Sequence, residues 1–203
     1  MSTYAYLGPA GTFTEGALNK IAGAADTRIP CATVTSALDA VRAGSADFGL
    51  VPIENSIEGV VARTLDELAT GQPLVIAAEV TLAVTFNLLV KPGTTSIASI
   101  GTHPHAESQC RAFLAKNYPD VEMVVTHSTS AAAEQVAAGK IDAAIASASA
   151  AETFGLEIAQ ANIGDNQNAV TRFIAVAKPG QIPARTGHDR TSLVVYIDID
   201  HAG

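Results

Sequence analysis

The sequence predicts an α/β protein of two similar lobes with a cleft between them. Three observations carry that prediction. Short β-prone runs alternate with helical runs along most of the chain, an order that builds open sheets covered by helices. The second half repeats the first at a constant shift of 95 residues. Two adjoining β-like runs, Leu74 to Val84 and Phe86 to Val90, interrupt the alternation and read as a crossing between the lobes.

The elements follow in order. Tyr4 to Leu7 reads as a buried strand. Gly8-Pro9-Ala10-Gly11-Thr12 breaks it, and Phe13 to Ala22 reads as a helix. Two glycines and a threonine between strand and helix are either an ordinary turn or a loop whose N–H groups face a ligand. Ile29 to Ala32 is a second strand, Ser36 to Ala43 a helix closed by Gly44, and Asp47 to Val51 a third strand. Pro52 to Gly59 then alternates polar and apolar residues beyond a strand end, where open α/β sheets bind ligands. Glu54, Asn55 and Ser56 are therefore candidates; the competing reading makes Asn55 or Ser56 a cap for a helix from Val61 to Leu68.

After the crossing, Ser99 to Gly101 is a strand and Thr102 to about Lys116 a helix. Val121 to Thr126 is a strand, Ser128-Thr129-Ser130 caps a helix ending near Gly139, and Asp142 to Ala146 is a strand. The shift lays Thr35–Gly44 over Ser130–Gly139, Asp47 over Asp142, Leu50 over Ile145 and Pro9 over Pro104. It also pairs the Gly8–Thr12 loop with His103–Glu107. The chain returns to the first lobe through Asp165-Asn166-Gln167-Asn168-Ala169-Val170-Thr171-Arg172-Phe173, amides that run into the apolar strand Phe173 to Ala177. The expected division is residues 1–82 with 171–180 as lobe one, and 83–170 as lobe two.

Composition narrows the function. Of 203 residues, 48% are apolar, enough for a core, and the net charge of −8 argues against nucleic acid as partner. Cys31 and Cys110 form no metal-ligand pattern and read as reduced thiols, so no metal is expected. No leader and no membrane-spanning run is read, so a cytoplasmic protein is expected.

Five motifs, in this order, resemble the prephenate dehydratase family over about residues 3 to 180. They are Gly8-Pro9-Ala10-Gly11-Thr12-Phe13-Thr14, Val51-Pro52-Ile53-Glu54-Asn55-Ser56-Ile57-Glu58-Gly59, Thr102-His103-Pro104 with Gln109-Cys110, Ser128-Thr129-Ser130-Ala131-Ala132, and Thr171-Arg172-Phe173. The sequence departs from the family at Ala10, usually an acid, at Thr102, commonly Ser, and at His105, commonly Gln.

The resemblance implies a fold like type II periplasmic binding proteins and a decarboxylating dehydration of prephenate to phenylpyruvate, without cofactor. It implies Thr171 beside the leaving hydroxyl, and Thr12, Asn55, Ser56, Thr102, Gln109 and Ser128 as substrate-binding groups. Arg172 either pairs with a substrate carboxylate or braces Glu54 or Asp165; Glu54 and Phe173 are supporting residues. His103 and His105, at a helix start, read as surface or capping residues. Lys178 to His188 reads as a linker, and Arg190 to Asp198 as the first strand of a truncated ACT-like domain through which L-phenylalanine would regulate. A homodimer or homotetramer is implied. The alternatives are arogenate dehydratase, with the same fold, and a non-catalytic two-lobed binding protein.

Overall fold

The computed structural model describes residues 1–180 and 186–193. Two sheets form, each between helical layers. The first holds β1 (Thr3–Leu7), β2 (Thr27–Cys31), β3 (Phe48–Asn55), β5 (Val75–Ala83) and β11 (Val170–Ala177), with the short β4 (Gly59–Val60) on β3. The second holds β6 (Asn87–Val90), β7 (Ser99–Thr102), β8 (Glu122–Val125), β9 (Ala143–Ala146) and β10 (Glu157–Gln160). Their orders are β2-β1-β3-β11-β5 and β8-β7-β9-β6-β10. In each sheet the first two pairings are parallel and the next two antiparallel. The two sheets thus share one topology, as the internal repeat requires.

The repeat reaches single hydrogen bonds. Asp47 Oδ2 accepts from the Thr3 N–H over 2.8 Å, and Asp142 Oδ2 accepts from the Ala98 N–H over 2.9 Å. Thr33 caps α2 (Val34–Ala43), and Ser128 caps α6 (Thr129–Ala137). Gly44 and Gly139 follow these helices at φ 82° and 72°, a conformation that favours glycine.

Helix α1 (Phe13–Leu18) covers one face of the first sheet, packing Ala17 and Leu18 against Tyr6, Leu50, Val80 and Phe173. On the other face α2 packs Ala37, Leu38 and Val41 against Ala5, Val51 and Ile174. The second sheet is covered by α4 (Pro104–Ser108) and α5 (Arg111–Asn117) on one side, and by α6 and α7 (Ala148–Phe154) on the other. Phe13 joins the lobes, packing with both cores and meeting the Phe86 ring edge-on at 5.6 Å.

Several boundaries differ from the sequence reading. The helix expected from Thr102 to Lys116 is two helices. The Asp165 N–H donates to the Gln109 carbonyl over 2.7 Å, and Asp165 Oδ2 accepts from the Ala112 N–H, so the returning segment replaces helical bonds at the break. The helix expected to reach Ala22 ends at Leu18 and continues as tight turns. β3 extends to Asn55 because β11 pairs with it from Gly49 to Asn55, apart from the bulged Ile53. Helix α3 (Ala62–Thr70) has Val61 at its N-cap with no side-chain bond, so neither Asn55 nor Ser56 caps it. α7, β10 and β4 are elements that the periodicity did not announce. Of the expected strand Arg190 to Asp198, residues 190–193 are irregular and 194–198 lie outside the described residues. The linker reading falls partly on 181–185, also outside them. Among the described residues, no helix is long and apolar enough to cross a membrane.

Candidate active site

Thr171 sits at the chain crossing. β5 ends at Ala83 and β6 begins at Asn87; on the way back, the Val84 N–H donates to the Ala169 carbonyl over 2.8 Å. Thr171 is the next residue but one, on a strand hydrogen-bonded along both edges, to Asn55 of β3 and Leu82 of β5. It is 8% exposed.

A bulge sets its partner. Along β3, Glu54 pairs with Arg172 but Pro52 pairs with Phe173, so Ile53 is an extra residue. That extra residue puts Asn55 directly opposite Thr171. Asn55 Nδ2 donates to Thr171 Oγ1 over 2.9 Å. Asn55 Oδ1 accepts from the N–H groups of Ile57 and Glu58, at 2.8 and 3.1 Å, which fixes the orientation of the amide. An amide N–H can only donate, so the Thr171 oxygen accepts here and its own proton is available to a ligand. Ser56 ties the same corner: its N–H donates to the Val170 carbonyl and its Oγ accepts from the Val170 N–H over 3.0 Å.

Successive strand residues point to opposite faces. Thr171 shares the α1 face with Phe173, which is 2% exposed and forms core as expected. Arg172 shares the α2 face with Ile174. There its Nη1 meets Glu54 Oε2 at 2.5 Å and its Nη2 meets Glu79 Oε2 at 2.9 Å. The hydrogen bonds that Arg172 donates to Glu79 and Glu54 raise its pKa above its ordinary value. Its Nε–H is buried with no acceptor among the described residues. Of the roles expected for Arg172, the brace to Glu54 is the one this structure forms, with Glu79 as a second partner, on the face opposite Thr171. Asp165, the other brace considered, accepts from the backbone at Ala112.

The lobes meet at the loop after β1. Ser147 Oγ donates to the Gly11 carbonyl over 2.9 Å, and Ser130 Oγ donates to the Ala10 carbonyl. Glu15 holds the loop from its own side, accepting from the Gly11 N–H at 2.6 Å and from the Tyr6 hydroxyl at 3.0 Å. Burial and the hydrogen bond to Glu15 push the Tyr6 phenol up. Gly11 has φ +79°, and a Cβ there would come within 2.8 Å of Ser130 Oγ. Thr12 caps α1, accepting from the Glu15 N–H. Thr12 and Ser128 also line a cavity of about 700 Å³ with Phe13, Pro30, Cys31 and His127. That cavity opens between the ends of β1 and β2 and the start of α6; Asn55 and Thr171 do not line it.

Gln109 reaches the other side of the cleft. Its Nε2 donates to Glu58 Oε1 over 3.1 Å, and His105 Nδ1 meets Glu58 Oε2 at 2.7 Å. Glu58 therefore holds Gln109 and His105 across the lobes. His103 caps α4, as the sequence suggested, and burial lowers its pKa, so the ring stays neutral near pH 7. Thr102 is 1% exposed, and its hydroxyl donates to the Ile145 carbonyl over 2.9 Å, joining β7 to β9.

The structure thus brings Asn55, Ser56 and Thr171 together at one corner, with Glu54 and Arg172 behind them. Thr12 and Ser128 line one cavity, and Gln109 is engaged by Glu58. Sequence reasoning missed Glu15, Ser130 and Ser147, which join the loop to both lobes, and Glu79 behind β11. Glu15 was legible in part, because an acid three residues after a Thr cap is a capping signal; Glu79 lies in a run that reads as apolar. Among the described residues, no group of three His, Cys, Asp or Glu side chains is arranged to hold a metal ion.

Comparison with known proteins places this geometry in a family. The family profile described as prephenate dehydratase matches residues 4–181. A prephenate dehydratase of Mycobacterium leprae is 50% identical over 96% of this chain and 64% of its own length. The structure of prephenate dehydratase from Arthrobacter aurescens in complex with L-Phe superposes with a TM-score of 0.83 at 48% identity, covering 91% of this chain and 62% of that one. GqqA, described as a novel type of quorum quenching acylase, superposes at 0.75 with 33% identity, over 90% of this chain and 66% of that one. The chain thus spans slightly less than two thirds of the length of these relatives.

Proposed function

The chain belongs to the prephenate dehydratase family, and from that premise we propose that it converts prephenate to phenylpyruvate, carbon dioxide and water. The observation that supports this reading is Thr171 at the crossing, its oxygen filled by the Asn55 amide and its proton free.

The reaction breaks two bonds. The bond from the ring to its carboxylate breaks and releases carbon dioxide. The electron pair moves through the ring diene and expels the hydroxyl on the opposite carbon, which takes a proton and leaves as water. The product ring is aromatic, which drives the step. The protein must orient the substrate and stabilise the departing oxygen. Thr171 donates a hydrogen bond to that oxygen. Asn55 positions Thr171, and Ser56, whose hydroxyl proton is not used in holding Val170, donates to the substrate. Gln109, Thr12 and Ser128 anchor the carboxylates from the facing loops; Gln109 exchanges Glu58 for the substrate when it does so. Glu54, Arg172 and Phe173 support the strand.

The residue division at 82/83 and 170/171 is proposed as the boundary of the lobes that close on the substrate. The two free thiols support a reducing, cytoplasmic setting. A homo-oligomer is proposed from the family. L-phenylalanine, held by the Arthrobacter relative, is proposed as a regulator acting through an ACT-like domain that begins near Arg190.

The test is phenylpyruvate formation from prephenate at neutral pH against an enzyme-free blank, with arogenate as the second substrate. A kcat/KM for prephenate well above that for arogenate is expected. Turnover of arogenate alone assigns the amino substrate instead, and turnover of neither rejects the reading.

A further inference from the structure

Behind the strand that carries Thr171 runs a chain of four charges. Arg190 Nη1 meets Glu79 Oε1 at 2.7 Å; the other oxygen of Glu79 meets Arg172 Nη2 at 2.9 Å; and Arg172 Nη1 meets Glu54 Oε2 at 2.5 Å. Glu54 and Glu79 lie on β3 and β5, the two strands that flank β11. Arg172 is therefore held from both sides, and Glu79 is shared between it and a residue of the segment 186–193. The hydrogen bond from Arg172 holds the Glu79 carboxyl below its ordinary range.

The chain sits where register matters. The pair Arg172–Glu54 is adjacent to the pair Thr171–Asn55, and the β3 bulge at Ile53 lies immediately beyond. A bulged pairing has a competing register one residue away, which would set Ile53 opposite Arg172 and Glu54 opposite Thr171. Cross-strand pairing of opposite charges selects the observed register.

We propose that Glu79 and Arg190 are positioning residues for Thr171: the chain Arg190–Glu79–Arg172–Glu54 fixes the β3–β11 register across which Asn55 holds the Thr171 hydroxyl. Through Arg190, the segment 186–193 sets the geometry of the site on the opposite face of the sheet. This rests on the reading that Thr171 acts on the substrate.

Glu79→Gln and Arg190→Ala, singly and together, test it in the whole chain, with kcat and KM for prephenate and residue-resolved amide exchange as readouts. Each variant is expected to lower kcat about tenfold with KM little changed, less than the hundredfold that an ångström of misplacement costs. The double variant is no worse than the worse single, because both cut one chain. Arg190→Lys restores most of the kcat. Amides of Thr171 and Phe173 exchange faster, while those of Gly101 and Ile145 in the second sheet do not. Unchanged kcat, additive losses, or equally faster exchange in both sheets would overturn the proposal. If the unaltered chain does not turn over prephenate, the functional reading fails, and exchange confined to β11 or shared by both sheets still decides the positioning claim.

Discussion

Asn55 Nδ2 donates to Thr171 Oγ1 over 2.9 Å, joining residues 116 apart in sequence. Because two backbone N–H groups hold Asn55 Oδ1, the amide has one orientation and the threonine oxygen has one role in this bond. This polarity is what leaves the threonine proton free to donate.

Asn55→Asp reverses that polarity without removing the turn. A carboxylate still accepts from Ile57 and Glu58, but toward Thr171 it can only accept, so it captures the hydroxyl proton. The expected result is a fall in kcat of about 100-fold or more, the scale of losing one catalytic hydrogen-bond donor, with the melting temperature little changed. Steady-state kinetics and a thermal melt check this together.

Gly11→Ala tests the loop that joins the lobes. The residue has φ +79°, and its Cβ would meet Ser130 Oγ at 2.8 Å. Strain of this kind costs about 1–3 kcal/mol, read as reduced stability in urea unfolding. Ser130→Ala relieves only the nearest contact: Phe154 and the Ala150 backbone still crowd the new Cβ, the backbone strain stays, and the Ser130 bond to the Ala10 carbonyl is lost, so the double variant should recover little of the loss.

The two thiols should separate in reactivity. Cys110 is fully buried, and that burial, with Asp165 nearby, pushes its pKa up to about 12. Cys31 is partly exposed and its pKa is also raised by burial. Thiolates are the reactive species. With a disulfide reagent near pH 8, Cys31 should react slowly and Cys110 only after unfolding; mass spectrometry of the labelled peptides distinguishes them.

Acid should unfold the protein through its carboxylates. Glu79 and Glu67 are held below their ordinary value of 4.5 by Arg172 and Arg42, and Asp142 below 3.8 by the backbone N–H of Ala98. A group with a lowered folded pKa contributes fully above its unfolded pKa and loses that contribution as pH falls through the folded one. Stability should therefore hold above about pH 5 and decline below it. Asp142→Asn should make that decline shallower, measured as urea midpoint against pH.

Much of the fold was legible because its signals are local or periodic. The shift that laid Gly44 on Gly139 and Asp47 on Asp142 matched strand order, helix caps and one hydrogen bond in both sheets. What could not be read depends on distant partners. The break between Ser108 and Arg111 comes from Asp165, far along the chain. Which residue of Pro52 to Asn55 bulges depends on where β11 pairs. Likewise, the acceptor of the Thr102 hydroxyl, the Ile145 carbonyl, lies on a strand 43 residues further along the chain. The motif residues at the corner could be named from sequence, but the direction of the bond between Asn55 and Thr171 could not.

The most direct measurement is kcat for prephenate in Thr171→Ala beside Thr171→Ser, each checked for an intact fold by circular dichroism and thermal melting. The account predicts a loss of about 100-fold or more for alanine, within the range of proton-transfer and hydrogen-bond catalysis, and a much smaller loss for serine, which keeps the hydroxyl. A folded alanine variant with near-normal kcat would contradict it.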